Sequence, residues 1–558
     1  MNSLIVPASV EGPVLVCAEG LSFWGGVDAA SGEVIDAHHE QRGQSLAGRV
    51  VLMPTSRGSC TGSGVLLELA LNGHAPAALV FREEEDVLTL GALLAGRIFD
   101  RPLAVVRLEA VAYEALSRQS QARVSGNAIE AGELSIPLQP IGSAALDLSD
   151  GDRAMLAGDA GPAVKLAMET LCTMAAIQGA RRLLDVTRVH IDGCIYASPA
   201  NLRFAETMAA MGAKVRVPTT MNAISVDYDH WRDQKVPPAF GLPASQLADA
   251  YLRMGAAPSF TCAPYHLDDS PGEGEEIGWS ESNAVIYANS VLGARTTKHP
   301  DFLDLCIALT GRAPQAGVYL DQNRRARRII EVDLPKGYDD ALWPLLGWLA
   351  GEKSPDRIPR LTGLEESAPS LDDLRALCAA FGTTSAAPML HVAGVTPEGD
   401  LPEAPDADHL RITRADLAEA WRGFNAGGPG IDLVSLGSPH FSLAETRTFA
   451  ALMKGEKRHT DVAVIITLGR GVLEAARAEG LISQLSEAGV QVVPDICWCS
   501  ISEPVFPPQA RTLITNSGKY AHYAPGLCGR EVRFGSLQDC AQAAKTGRAP
   551  SDPPHWLE

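Results

Sequence analysis

Three cysteines sit in polar loops that interrupt apolar runs: Cys262 in FTCAPYH, and Cys497 and Cys499 in PDICWCS. Thiolates are soft donors that favour iron or zinc over magnesium. Cys497 and Cys499, one residue apart, project to the same side of an extended chain, and a loop could also turn both toward a metal. No CxxC pair is present to specify a zinc site or a ferredoxin loop. Pro264 restrains the loop after Cys262. Further polar residues recur in the last third: Ser438 and His440, Asp495, then Asn516, Ser517, Lys519 and His522. Two readings stand for this set. Either the loops converge on one crevice, or the residues are separate caps, core thiols and turns.

Nearer the start, PTSRGSCTGSG joins Arg57, Ser59, Cys60 and Ser63 through glycines. Small residues let backbone approach a carboxylate or phosphate, and the hydroxyls can donate hydrogen bonds. The missing GKS or GKT ending excludes a phosphate-binding P-loop, and an ordinary Gly/Ser turn fits as well. HIDGC offers His190, Asp192 and Cys194 as a metal tripod if one strand face presents them. Alternation alone does not establish convergence, so substrate contact is the reading taken for His190 and Asp192. TTMNAIS adds Asn222 on a polar loop without specifying a reaction.

The elements that must position these groups are those of an α/β protein. Residues 1–145 read as a compact strand-rich domain, with apolar segments at 15–17, 49–53, 65–69 and 78–81 and a helix favoured over 88–94. Composition changes at about 140–160, and residues 162–180 have helical spacing with Pro162 at the start. Residues 146–558 form the larger region, as two α/β subdomains with a breaker-rich insertion or hinge near 346–405. In the last third, short apolar runs such as IDLVSL, DVAVIITLG and VQVVPD alternate with helix-like stretches, predicting mostly parallel sheets. Ser442 and Glu445 have capping-box spacing, which places SPH between a strand and a helix. Functional groups then point to the carboxyl ends of the strands, the usual crevice of open α/β folds.

Composition narrows the classes. With 558 residues, two or three domains are expected, and 46% hydrophobic against 20% charged residues supplies their cores. A formal charge of -20 disfavours a long nucleic-acid interface. The start lacks the basic and apolar regions of an export signal, and no run of about 18 apolar residues follows, so a cytoplasmic protein with no membrane partner is expected. Eleven cysteines lack the density of a secreted scaffold. Cys17, Cys172, Cys306, Cys378 and Cys540 lie in apolar or helical contexts and read as packing thiols.

Taken together, FWGGVD, PTSRGSCTGSG, HIDGC, TTMNAIS, FTCAPY, SESNAVIYANSVLGARTTKHPDF, SPHFS, PDICW and NSGKYAHYAP resemble the aconitase X family across nearly the whole chain. The arrangement is similar to single-chain bacterial members, with a small swivel domain first and a larger catalytic region second. The resemblance implies a hydro-lyase that converts cis-3-hydroxy-L-proline to Δ1-pyrroline-2-carboxylate through an enamine. It also implies an iron-sulfur cluster on Cys262, Cys497 and Cys499, of 2Fe-2S type, with another iron centre as the alternative. The archaeal branch often has GCPH where this chain reads GSPH, so Ser438 replaces a thiolate and identical ligation is not expected. Ser59 or Ser63 is implied as the base. An alkoxide is expensive in water, so either needs nearby positive charge or a relay, for which Lys298, Lys519, His299 and His522 are candidates; the alternative is that the serines only bind the carboxylate.

Substrate contacts are assigned to Arg57, Cys60, His190, Asp192, Asn222, Asn289, Arg295, Thr296, His440, Asn516 and Lys519. For Asn289, Arg295 and Thr296 the alternative is closure of a polar loop. A small hydroxylated amino acid is the expected partner, with no obligatory second subunit and a homo-oligomer left open. Competing functions are a mevalonate 5-phosphate dehydratase, another hydroxy-acid dehydratase or isomerase, and a non-catalytic iron-sulfur sensor.

Overall fold

The computed structural model describes residues 2–36, 39–57, 60–142 and 145–558. It divides into two compact units, one comprising Met1–Thr219, Asp249–Ala256 and His299–Gly317, the other Thr220–Ala248, Ala257–Lys298 and Val318–Glu558. Among the described residues no helix is long and apolar enough to cross a membrane.

The first unit is built on a nine-stranded sheet. Its centre is parallel: Val10–Val16, Val50–Met53, Ala78–Phe81 and Ala104–Arg107 pair in that order, with Val14 beside Val50, Val50 beside Ala78 and Ala78 beside Ala104. The last three strands are almost wholly buried, which is why they read as continuous apolar runs rather than alternating ones. An antiparallel meander, Gln121–Ser125, Ala128–Ala131 and Leu134–Pro137, extends one edge. The apolar segment 65–69, grouped with strands from its composition, lies instead inside the helix Gly62–Asn72. Five apolar residues do not distinguish a buried strand from a buried helix, and here the helix is buried nearly all round. Helices are found at Val87–Phe99 and Pro162–Ile177, matching the expected positions.

In the second unit, Arg328–Val332 pairs in parallel with both Pro359–Thr362 and Asp408–Ile412, and His391–Val392 joins Pro359–Thr362. The breaker-rich segment 346–405 thus supplies two strands of this sheet together with the helix Leu371–Thr384. A second, all-parallel sheet runs Gln491–Pro494, Ala463–Leu468, Leu433–Phe441, Thr512–Thr515, Glu531–Phe534 across its width. Leu433–Phe441 is buried throughout and carries SPH at its carboxyl end. Ser442 then caps the helix Leu443–Leu452 in a capping box with Glu445.

Helices Leu342–Lys353 and Leu371–Thr384 approach so closely that glycine is required between them. A Cβ on Gly347 would lie 2.2 Å from the Leu377 carbonyl oxygen, whereas one on Gly96, inside Val87–Phe99, would meet nothing nearer than 3.8 Å. The same substitution should therefore have opposite signs at the two positions. Gly347→Ala should lower stability by about 1–3 kcal/mol through overpacking, and Gly96→Ala should raise it by roughly 0.5–1 kcal/mol through helix propensity. Urea unfolding midpoints of the two variants check this, and equal shifts would refute the close-packing account.

Candidate active site

Cys262, Cys497 and Cys499 share one cluster in the second unit, with Ala223 packed among them. Cys262 follows Phe260, whose φ of 40° turns the chain sharply. Its loop is held by the Thr261 N–H on the Met221 carbonyl at 3.1 Å and by Asn283 Nδ2 on the Cys262 carbonyl at 3.1 Å. Cys497 and Cys499 follow the strand Gln491–Pro494. Between strand and cysteines, Asp495 adopts a φ of 71° and accepts from Arg470 Nε and Nη2 at 2.7 Å each. Trp498 is buried and donates Nε1–H to the Leu436 carbonyl at 2.7 Å. The chain turns here, closed by the Ser500 N–H on the Cys497 carbonyl at 2.9 Å, and both cysteines pack with Cys262.

Lys519 lies in the first turn of the helix Gly518–Cys528, where the helix dipole disfavours a cation. Glu281 offsets this by accepting from Lys519 Nζ at 2.9 Å. Glu281 also accepts from Asn222 Nδ2 at 3.1 Å and from Asn283 Nδ2. Burial pushes the Glu281 carboxyl up, but the ammonium and its hydrogen bond outweigh it and hold the group below its ordinary value. Burial likewise opposes the Lys519 charge, yet Glu281 and the three thiols hold it well above the usual ammonium value. Hydrogen bonds from the Cys262 and Cys499 thiols, with the Lys519 charge assisting, hold Cys497 well below the ordinary thiol range.

His440 closes the cluster from the end of Leu433–Phe441. Its backbone N–H points at Cys262 Sγ at 3.3 Å. Its Nε2 faces the Ile496 carbonyl at 2.8 Å, which can only accept, so Nε2 carries the proton and Nδ1 accepts from the Thr261 hydroxyl at 3.2 Å. Burial pushes the imidazole pKa down, in keeping with a neutral ring. The His440 carbonyl accepts from Arg375 Nη1 at 2.9 Å, and Arg375 is itself buried against Glu445 and Asp372. Asn516 lines a neighbouring cavity of about 20 Å³, room for one water, with Arg375, Ser438 and Ser517. Ser438 Oγ makes no hydrogen bond among the described residues.

The structure therefore brings together six of the residues singled out by sequence: Cys262, Cys497, Cys499, Asn222, His440 and Lys519. The long motif behaves otherwise. Asn289 Nδ2 donates to the Thr296 and Pro388 carbonyls, its Oδ1 accepts from the Thr296 N–H, and Thr296 Oγ1 accepts from the Trp279 N–H. Arg295 pairs with Asp321, and Lys298 Nζ donates to the Ser385 carbonyl at 3.0 Å. These bonds close the polar loop and tie it to the segments around Asp321 and Ser385–Pro388. His522 accepts from Trp348 Nε1 at 3.1 Å.

Arg57, Cys60, Ser63, His190 and Asp192 belong to the first unit. Arg57 is half exposed and pairs with Glu19 at 2.8 Å. Ser63 is buried, its Oγ within 3.0 Å of the Cys60 carbonyl and 3.4 Å of the Asp301 carbonyl. Cys60 and His190 are buried, and the Asp192 N–H donates to Asp304 Oδ2 at 2.7 Å. Ser59 lies outside the described residues. Glu281 and Asn283 were missed by sequence reasoning. Their signal was a carboxylate and an amide set among small polar residues in SESN, at the start of the buried helix Ser282–Ser290.

Two buried thiols, Cys262 and Cys497, and the half-buried Cys499 form a donor set that suits an iron-sulfur cluster, with a backbone N–H directed at one sulfur.

Comparison with known proteins adds family and chemistry. Residues 2–132 match the aconitase X swivel domain, 145–322 the first domain, 326–422 the second and 431–546 the third. A cis-3-hydroxy-L-proline dehydratase from Pseudomonas aeruginosa is 51% identical over 99% of this chain and 97% of its own length. One from Hypocrea jecorina is 46% identical over 97% and 94% respectively. The crystal structure of the holo-form of Thermococcus kodakaraensis aconitase X superposes with a TM-score of 0.64 at 30% identity, covering 73% of this chain and all of that one. Matched by all four domains in order and aligned almost end to end with dehydratases, the chain belongs to the aconitase X family and is a hydro-lyase.

Proposed function

We propose that this protein removes water from cis-3-hydroxy-L-proline, using an iron-sulfur centre held by Cys262, Cys497 and Cys499. The observation that carries the reading is the convergence of three thiols around a buried Lys519–Glu281 pair. The near full-length similarity to dehydratases named for that substrate supports it. The reaction takes the hydrogen from the carbon bearing the carboxylate and the hydroxyl from the adjacent carbon. The enamine so formed tautomerises to Δ1-pyrroline-2-carboxylate.

The chain's own residues would divide the work as follows. An iron-sulfur cluster, when bound, supplies a Lewis-acidic iron for the oxygen of the departing hydroxyl. Lys519 has three N–H donors, of which Glu281 takes one, so the others are available to the substrate carboxylate. Asn222 steadies Glu281 from the far side. Proton abstraction is assigned to Ser59 rather than Ser63, whose hydroxyl is already committed to backbone carbonyls. Charge balance favours a single carboxylate over a phosphate. Lys519 is matched by Glu281, Arg375 by Glu445 and Asp372, and Arg470 by Asp495 and Asp229, so these cations leave no surplus for a phosphate dianion.

Protein purified without oxygen, with iron and sulfide quantified, should form Δ1-pyrroline-2-carboxylate from cis-3-hydroxy-L-proline, seen by mass spectrometry after borohydride trapping. The trans isomer and mevalonate 5-phosphate should be inert. Turnover of mevalonate 5-phosphate, or of none of the three by folded, iron-loaded protein, would sink this reading.

Ser59→Ala should lower kcat by about 100-fold or more at unchanged iron content, the scale of a lost general base. An unaltered kcat removes Ser59 from the mechanism. Glu281→Gln or Lys519→Met alone should destabilise by about 3–5 kcal/mol, because each leaves a buried charge unmatched. The double variant should lose clearly less than the sum, as read from denaturant midpoints, and simple additivity would show that the pair is not coupled.

A further inference from the structure

We propose that the backbone N–H of His440 tunes the iron-sulfur centre by hydrogen bonding to the sulfur of Cys262, and that Arg375 is the residue that positions it. The proposal rests on the reading above, in which Cys262 is a cluster ligand.

The register of the strand Leu433–Phe441 against Ala463–Leu468 shifts between Leu436 and Phe441, so the backbone of GSPH falls outside the regular ladder. Buried backbone groups still need partners. Side chains provide them: Trp498 Nε1 donates to the Leu436 carbonyl at 2.7 Å, Thr467 Oγ1 to the Gly437 carbonyl at 2.8 Å, the Ser517 hydroxyl to the Ser438 carbonyl and Arg375 Nη1 to the His440 carbonyl at 2.9 Å. Pro439 has no N–H to satisfy. The His440 N–H also goes to a side chain, and that side chain is Cys262, with Sγ at 3.3 Å.

His440 is held so that this bond persists. Its ring is engaged at both nitrogens, by the Ile496 carbonyl and the Thr261 hydroxyl, which leaves neither for a metal or for substrate. What it offers the cluster is therefore its backbone. Its carbonyl is fixed by Arg375, which is 4% exposed and pairs with Glu445 and with Asp372. Both carboxylates are tied to Ser442, whose N–H donates to Glu445 at 2.9 Å and whose hydroxyl donates to Asp372 at 2.8 Å. The capping box that starts the helix Leu443–Leu452 thus also sets the guanidinium that aims the His440 N–H.

A hydrogen bond to a ligating sulfur draws electron density from it and favours the reduced, more negative cluster, so losing the bond lowers the reduction potential. The same withdrawal strengthens the iron as a Lewis acid. An N–H that merely satisfied a buried backbone group would have neither effect.

The test uses holoenzyme purified without oxygen, with iron and sulfide counted. Histidine labelled with nitrogen-15 at its α-nitrogen should give a nitrogen-15 coupling in pulsed EPR spectra of the reduced wild-type cluster. Arg375→Lys keeps a positive charge beside Glu445 and Asp372 but lacks the planar fork that also reaches the carbonyl. It should weaken that coupling and make the cluster about tenfold harder to reduce, a fall of about 59 mV for one electron. Thr467→Val frees the neighbouring Gly437 carbonyl while His440 stays held, and should leave the potential unchanged. If Arg375→Lys fails to fold, the labelled wild-type protein decides alone. A cluster without the nitrogen-15 coupling, an unmoved potential in folded, cluster-loaded Arg375→Lys, or an equal fall in Thr467→Val overturns the proposal. Folded wild-type protein that holds no cluster would instead sink the ligand assignment, and this role with it.

Discussion

An ammonium group taken out of water must be matched where it lies, and Lys519 sits at a helix start that adds to the cost rather than reducing it. Glu281 supplies the counter-charge, and the Asn222 and Asn283 amides hold its carboxylate in place. These partners come from three loops widely separated in sequence. Each loop must therefore be fixed in place before the charges can balance, and much of the surrounding structure reads as the means of fixing them.

The fixing device recurs: a buried charged group takes up the polar atoms of a loop backbone. Asp495 accepts the Tyr228 N–H while Arg470 grips its carboxylate. Arg375 holds the His440 carbonyl, so the His440 N–H stays directed at Cys262. In the first unit Asp304 accepts the N–H groups of Asp192 and Gly193, and Glu85 those of Leu88 and Thr89. Asp304 is buried deeply enough for its carboxyl to be pushed up to about 6, so holding HIDGC in shape carries an electrostatic cost. Loops made in this way are rigid without regular structure, as a site assembled from distant segments requires.

This also explains which parts could be read from the sequence. The parallel sheet was legible because its strands are buried runs ending in turn residues, and the capping box at Ser442 and Glu445 fixed where SPH ends. The three site cysteines were legible by motif, whereas their spacing was weak evidence. Glu281 was not, since nothing in SESN indicates that Lys519, 238 positions later, will be its partner. Asn289, Arg295 and Thr296 show the converse. Their residue types suit substrate binding, but Asn289 and Thr296 bond to each other within the loop and Arg295 bonds to the Tyr319 carbonyl, and only tertiary geometry distinguishes the two uses. The segment 65–69 became a helix because burial on nearly all sides erases the periodicity that separates the two elements.

The formal charge of -20 opposes anionic ligands, but its reach is short. At physiological ionic strength, exposed charges are largely screened beyond about 8 Å. Inside the site screening is weak, and the decisive quantity is the local balance, where each cation has its own carboxylate. A site so nearly neutral gives little to a multiply charged ligand. The pairing of Lys519 with Glu281 sets that local balance, and an acidic exterior is compatible with it.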